Sequence, residues 1–247
     1  MAYEGQIAEM VRIHGAEGTL IDAYAARPLG AGPFPGVIVV HHMPGFDEWS
    51  REVTRRIAHH GYSAICPDLH FRMGAGTYAQ KSQKIRESGG QVDALVIGDL
   101  KGGEAWLREL PTSNGKVGLI GFCSGGRVAY MASAKIPTLQ AAVNCWGGNV
   151  TSPPMNANAN QPVAPFEMTP DIKVPLLGIF GNEDKNPDKE QVNKIEEALK
   201  KHKKTYEFHR YDRAGHAIFN WEGDRYVYEA AKDGWQKVFA FYEKYLR

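Results

Sequence analysis

Runs of apolar residues without polar interruption recur along the chain, separated by stretches in which apolar residues return every three or four positions. Five runs are of the first kind: GVIVVHH (36–42), YSAICPDL (62–69), KVGLIGF (116–122), AAVNCWG (141–147) and VPLLGIFG (174–181). Continuous apolarity is what a strand needs when both faces of its sheet are covered, as in parallel sheets. TYEFHRYD (205–212) predicts a further strand, and two more are expected near 7–13 and 19–27, before the turn-rich PLGAGPFPG (28–36). Helical periodicity predicts helices over 47–60, with Val53, Ile57 and Ala58 on one face, and over 92–110, 125–135, 188–203 and 224–246. The polar, glycine-containing stretch 71–91 reads as a surface excursion. The segment 148–170, with five prolines, reads as a long loop of the kind that tends to carry function. Strands alternating with helices predict an α/β fold: a mostly parallel, doubly wound sheet flanked by helices. With no repeat, low-complexity tract or linker, residues 1–247 are expected to form a single domain.

Composition narrows the function classes. The 247 residues carry 29 Lys and Arg against 28 Asp and Glu, a formal charge of +1, which argues against a nucleic-acid or membrane-surface partner. No apolar run approaches the length of a membrane span, and the first residues lack the basic and apolar regions of a secretory signal. The three cysteines, Cys66, Cys123 and Cys145, are widely spaced and odd in number. That suits a reducing compartment, so the expected location is cytoplasmic.

Cys123 stands apart from the other two. Cys66 and Cys145 lie inside apolar strands, where burial explains them, whereas Cys123 closes a strand at Gly121-Phe122-Cys123-Ser124-Gly125. This is the G-x-S-x-G nucleophile elbow with cysteine in place of serine, and the glycines leave room for a strained turn between strand and helix. The helix starting at Ser124 directs its positive end at the thiol, and the Ser124 amide faces the place where an oxyanion would form. Anion binding at a glycine-rich turn is the rival reading, although the phosphate-loop and dinucleotide patterns are absent. An elbow nucleophile needs an acid and then a histidine downstream. Asp184, in GNED after one predicted strand, and His216, in RAGHAIF after the next, meet that order at strand ends, where α/β sheets bind ligands.

On these residues the sequence resembles the dienelactone hydrolase family of the α/β-hydrolase fold: SNGKVGLIGFCSGG, CPDLHFR, GNED and AGHAIF fall in register from about Pro35 to His216. The resemblance implies a catalytic triad of Cys123, Asp184 and His216, with the cysteine acylated by a small-molecule ester or lactone, and no cofactor. The loop HHMPG (41–45) resembles an oxyanion loop, with the Met43 amide as the second donor beside Ser124. Two departures weigh against dienelactone itself. His42 stands where family members acting on dienelactone have a thiol-activating glutamate, and Asn220 stands where they have a carboxylate-binding arginine. The resemblance places a second such arginine in the variable region 72–90.

Several residues keep two readings. His42 either faces substrate or braces its loop. Trp146, Phe219 and Trp221 either line an apolar pocket with Asn220 or belong to the core. Arg127 either meets substrate or pairs with an acid. No metal-ligand spacing accompanies the histidines, so no metal is expected. A thioesterase, a general carboxylesterase, and a non-hydrolytic binding or redox-sensing protein on the same fold are the alternatives. Neither the substrate's identity nor the oligomeric state is encoded in these patterns.

Overall fold

The five uninterrupted runs become five of the six interior strands of one sheet in the computed structural model, which describes residues 5–151, 159–224 and 226–247. The strands are β1 (Gln6–His14), β2 (Leu20–Pro28), β3 (Phe34–Val40), β4 (Ser63–Pro67), β5 (Ser113–Phe122), β6 (Ala141–Cys145), β7 (Leu176–Gly181) and β8 (Tyr206–Tyr211). They are ordered β1-β2-β4-β3-β5-β6-β7-β8. The β1–β2 and β2–β4 pairs are antiparallel, and every pair from β4 to β8 is parallel. All residues of β3, β4, β6 and β7 are buried, as continuous apolarity requires, whereas edge strand β1 leaves most of its residues exposed.

Helices cover both faces. On one face, α1 (Glu48–His59) and α6 (Tyr228–Leu246) bury Val53, Ile57, Trp235 and Val238 against the sheet. On the other, α3 (Asp93–Glu109), α4 (Ser124–Lys135) and α5 (Lys189–Lys201) bury Val96, Leu100, Val128, Ile195 and Leu199. Burying each aliphatic side chain of this size contributes about 1.5–3 kcal/mol, so two full layers hold the sheet ends still. The sequence-based strands and these five helices are present, with ends displaced by a few residues.

Two expectations change. The excursion 71–91 contains a helix, α2 (Tyr78–Glu87), whose apolar face is too thin to announce itself: only Ser82 and Ile85 are buried. Its start is marked by a capping box, in which the Thr77 hydroxyl accepts the Gln80 N–H and the Gln80 side chain accepts the Thr77 N–H. The last helix begins at Tyr228 and not at 224, which leaves Asp224 and Tyr226 in a loop beside the site. Of the long loop 148–170, residues 152–158 lie outside the described ones, and its end forms a 3-10 turn over Pro165–Asp171. Among the described residues, no helix is long and apolar enough to cross a membrane.

Candidate active site

Strand β5 delivers Cys123 to the tip of a turn, with φ 54° and ψ −116°. That left-handed conformation costs a side-chain-bearing residue energy and survives only where the surroundings impose it. Here the Cys123 amide donates to the Cys145 carbonyl at 3.1 Å, and its own carbonyl accepts the Gly126 and Arg127 amides as α4 begins. The flanking glycines are required by close approach. A Cβ on Gly121 would lie 1.9 Å from the Gly125 oxygen, and one on Gly125 would lie 2.3 Å from the Val40 oxygen. Of seven non-glycine residues with positive φ among those described, Cys123, Trp146, Asn149, Arg213 and Ala217 fall on the loops after β5, β6 and β8, around this turn.

Strands β7 and β8 end beside it. The Asp184 carboxylate is buried, and its Oδ2 accepts a hydrogen bond from His216 Nδ1 at 2.7 Å. The Cys123 side chain lines the same cavity beside the His216 ring, close enough to act on its charge. Burial pulls the His216 pKa down, but the hydrogen bond to Asp184 and the neighbouring Cys123 side chain, with the charges of both, outweigh it and raise the pKa to about 9. The imidazolium is therefore the favoured form next to the thiol. The other two cysteines are fully buried, and burial pushes both thiols well above their usual pKa. Only Cys123 is both partly accessible and adjacent to a base.

The three side chains open onto a cavity of about 990 Å³ that is also lined by the residues carrying the expected oxyanion amides, Met43 and Ser124. Arg86 reaches it from the end of α2, and Lys185 and Arg213 from the loops after β7 and β8. Among the described residues, no group of three or more His, Cys, Asp or Glu side chains is arranged to hold a metal ion.

The sequence model of the dienelactone hydrolase family matches residues 21–246. The chain belongs to that family. Relatives named "Putative carboxymethylenebutenolidase" include one from Methylorubrum extorquens, 33% identical over 244 residues, covering 98% of this chain and 82% of the relative. Another, from Escherichia coli K12, is 33% identical over 233 residues, covering 93% of this chain and 84% of the relative. The crystal structure of a "Putative Dienelactone Hydrolase" from Klebsiella pneumoniae superposes with a TM-score of 0.89 at 32% identity, covering 98% and 100% of the two chains. As a member of the dienelactone hydrolase family, the protein is a hydrolase of carboxylic ester or lactone bonds.

Within this family member, the five residues that kept a substrate-side reading are not among those lining the cavity. Trp146 and Phe219 are 1% exposed and pack with Phe122 and Trp235 in the core. Trp146 backs the His216 ring at 6.4 Å. Trp221 turns outward over Trp49 and the Arg56 guanidinium. The Asn220 side chain accepts the Glu222 N–H within its own turn. His42 bonds Asp47 Oδ2 through Nε2 at 2.6 Å and lies over Trp49, so it braces the oxyanion-type loop against the start of α1. Burial opposes the Asp47 charge, yet the bonds from His42 and Ser50 prevail and hold its pKa below the usual carboxylate value. Arg127 pairs with buried Asp93 through two bonds of 2.7 and 2.9 Å while also lining the cavity.

Sequence reasoning expected an arginine within 72–90 without naming Arg86, and missed Lys185 and Arg213. Arg213 sits three residues before His216 at φ 61°, and a guanidinium held in a strained turn beside a candidate base was the available signal.

Proposed function

We propose that this protein hydrolyses an ester or lactone through an acyl-thioester on Cys123. The observation that carries the reading is the strained elbow cysteine sharing one cavity with His216, whose Nδ1 donates to buried Asp184 at 2.7 Å. The thiolate attacks the carbonyl carbon, and the electron pair displaced onto oxygen is received by the Ser124 and Met43 amides. As the tetrahedral adduct collapses, the C–O bond breaks and the leaving alkoxide takes the proton held on His216. Neutral His216 then accepts a proton from water, the hydroxide attacks the thioester, and the acid product departs from a regenerated thiolate. Asp184 keeps the proton of His216 on Nδ1 throughout and stabilises the imidazolium.

The cavity favours a substrate that carries a carboxylate of its own. Arg86 and Arg213 both line it, and a guanidinium matches a carboxylate with two parallel hydrogen bonds. Arg86 comes from the 72–90 region where the family resemblance puts one such arginine. Arg213 supplies positive charge from the β8 loop, while Asn220 is engaged in its turn.

The test is the intact mass of the protein quenched during reaction with p-nitrophenyl acetate, followed by peptide mapping, with Cys123→Ala in parallel. Acetyl on the Cys123 peptide together with nitrophenol release supports the mechanism. Release that survives Cys123→Ala sinks it. Reversible oxidation of Cys123 with no release from any ester or lactone in a panel would favour the redox-sensing alternative.

A further inference from the structure

We propose that Asn149 and Asn186 form a clasp between two loops that positions Asp184, and through it the charge on His216; the proposal rests on the hydrolase reading above. Asp184 spends Oδ2 on His216, and its Oδ1 accepts the backbone N–H of Asn186 at 2.9 Å. One histidine bond leaves a carboxylate free to rotate about it, whereas a second donor fixes its plane. That second donor is useful only if residue 186 is itself held in place. Its side chain does this by reaching the loop after β6, not Asp184. Asn186 Oδ1 accepts the Asn149 N–H at 3.1 Å, and Asn186 Nδ2 donates to Asn149 Oδ1 at 3.2 Å.

Two features show that the surroundings are shaped around this pair. Asn149 has φ 57°, a conformation asparagine tolerates better than most residues, and it aims both its N–H and its side chain at Asn186. The preceding residue is Gly148, where a Cβ would come within 2.8 Å of the Asn186 amide group, so any side chain there would push the clasp apart. The contact spans 37 residues of sequence and ties the β6 and β7 loops together at the mouth of the cavity, which both asparagines line. Asn149 and Asn186 are positioning residues in this scheme: they act on the thiol through Asp184 and His216.

The experiment uses the full-length protein with Asn186→Ala, Asn149→Gly and the double substitution. Asn149→Gly keeps the left-handed backbone at no cost and removes only the side-chain acceptor, so it guards against loss of folding. The first readout is the pH dependence of Cys123 alkylation by iodoacetamide, which needs no turnover. Cys66 and Cys145 are fully buried and do not compete. The second is kcat and KM for p-nitrophenyl acetate. Asn186→Ala should move the alkylation midpoint to higher pH and lower kcat about tenfold, as expected for losing two ordinary hydrogen bonds, with KM within about twofold. Asn149→Gly should shift both in the same direction by less. The double variant should be no worse than Asn186→Ala, because both substitutions break one clasp. An unmoved alkylation profile with additive losses would overturn the proposal. A raised KM at unchanged kcat would also overturn it, by assigning the asparagines to direct substrate contact. If the wild-type protein turns over no ester, the hydrolytic reading fails, while the alkylation profiles still decide the clasp.

Discussion

Asp184→Asn keeps the shape of the acid and removes its charge, which makes it a direct probe of how the thiol is activated. The His216 pKa stands at about 9 against an ordinary 6.5, and burial alone would have moved it the other way. That elevation corresponds to about 3 kcal/mol of preference for the imidazolium. Its first upward contribution is the hydrogen bond to Asp184, whose charge adds to it, so losing that partner should remove a large part of it. At about 1.4 kcal/mol per factor of ten, kcat/KM for ester cleavage should fall about a hundredfold. The fall should be larger if the new amide turns its NH2 toward Nδ1 and selects the wrong tautomer. The assay is kcat/KM against pH with p-nitrophenyl acetate, alongside thermal unfolding at each pH. In the wild type, activity should decline as pH rises through about 9, where His216 loses the proton that pairs with the thiolate and serves the leaving group. Stability follows the same linkage. A pKa raised in the fold contributes stability that is complete below about 6.5 and lost as pH climbs through about 9. The variant should lack that alkaline loss and show its upper activity limb displaced to lower pH. A rate within threefold of wild type, with the limb still near 9, would refute the assignment of Asp184 as the acid that sets His216.

Two further outcomes follow from groups outside the triad. Arg86→Ala should raise KM for esters bearing a carboxylate about tenfold or more and leave neutral esters within twofold, since losing a guanidinium partner costs about 1.5–3 kcal/mol; equal changes for both ester types would remove Arg86 from substrate binding. His70 is buried edge-on to His41 at 4.7 Å, with no hydrogen-bond partner on Nδ1. Burial, and then the charges of His41, Lys81, Arg86 and His42, push its pKa down to about 3, and burial lowers that of His41 as well. Because the unfolded chain takes up the His70 proton first, stability should fall as pH drops from 6.5 toward 3, by about 1.4 kcal/mol per pH unit for that histidine, and the lowered His41 adds in the same direction. Urea midpoints for His70→Asn should lose one histidine's share of that slope between pH 7 and 5; an unchanged slope would contradict it.

How much of this could be read from the chain depends on whether a residue's environment is made locally or across the fold. The elbow is local: the glycines at 121 and 125 stand two residues either side of Cys123, and the collisions they avoid involve Gly125 and the end of the neighbouring strand. Asp184 and His216 were legible because a parallel sheet brings successive strand ends to one edge, so chain order alone carries spatial information. The aromatic residues offered no such handle. Trp146 and Trp221 are equally aromatic, yet one is sealed beneath His216 and the other lies over Trp49, and only the packing of α1 and α6 separates them. His42 had two readings because its decisive partner, Asp47, lies beyond the turn that reverses the chain into α1. Helix α2 was hidden for the opposite reason. It buries so little that hydrophobic periodicity, the strongest local signal, is nearly absent, and the T-x-x-Q cap was left as its mark. The polar contacts Arg127 with Asp93 and Asn149 with Asn186 join residues 34 and 37 apart by polar groups alone. Polar pairs of that span have no period and no motif. Their partners are determined only once the core has placed the loops, which is why the proposed triad can be read from sequence while the groups proposed to orient it cannot.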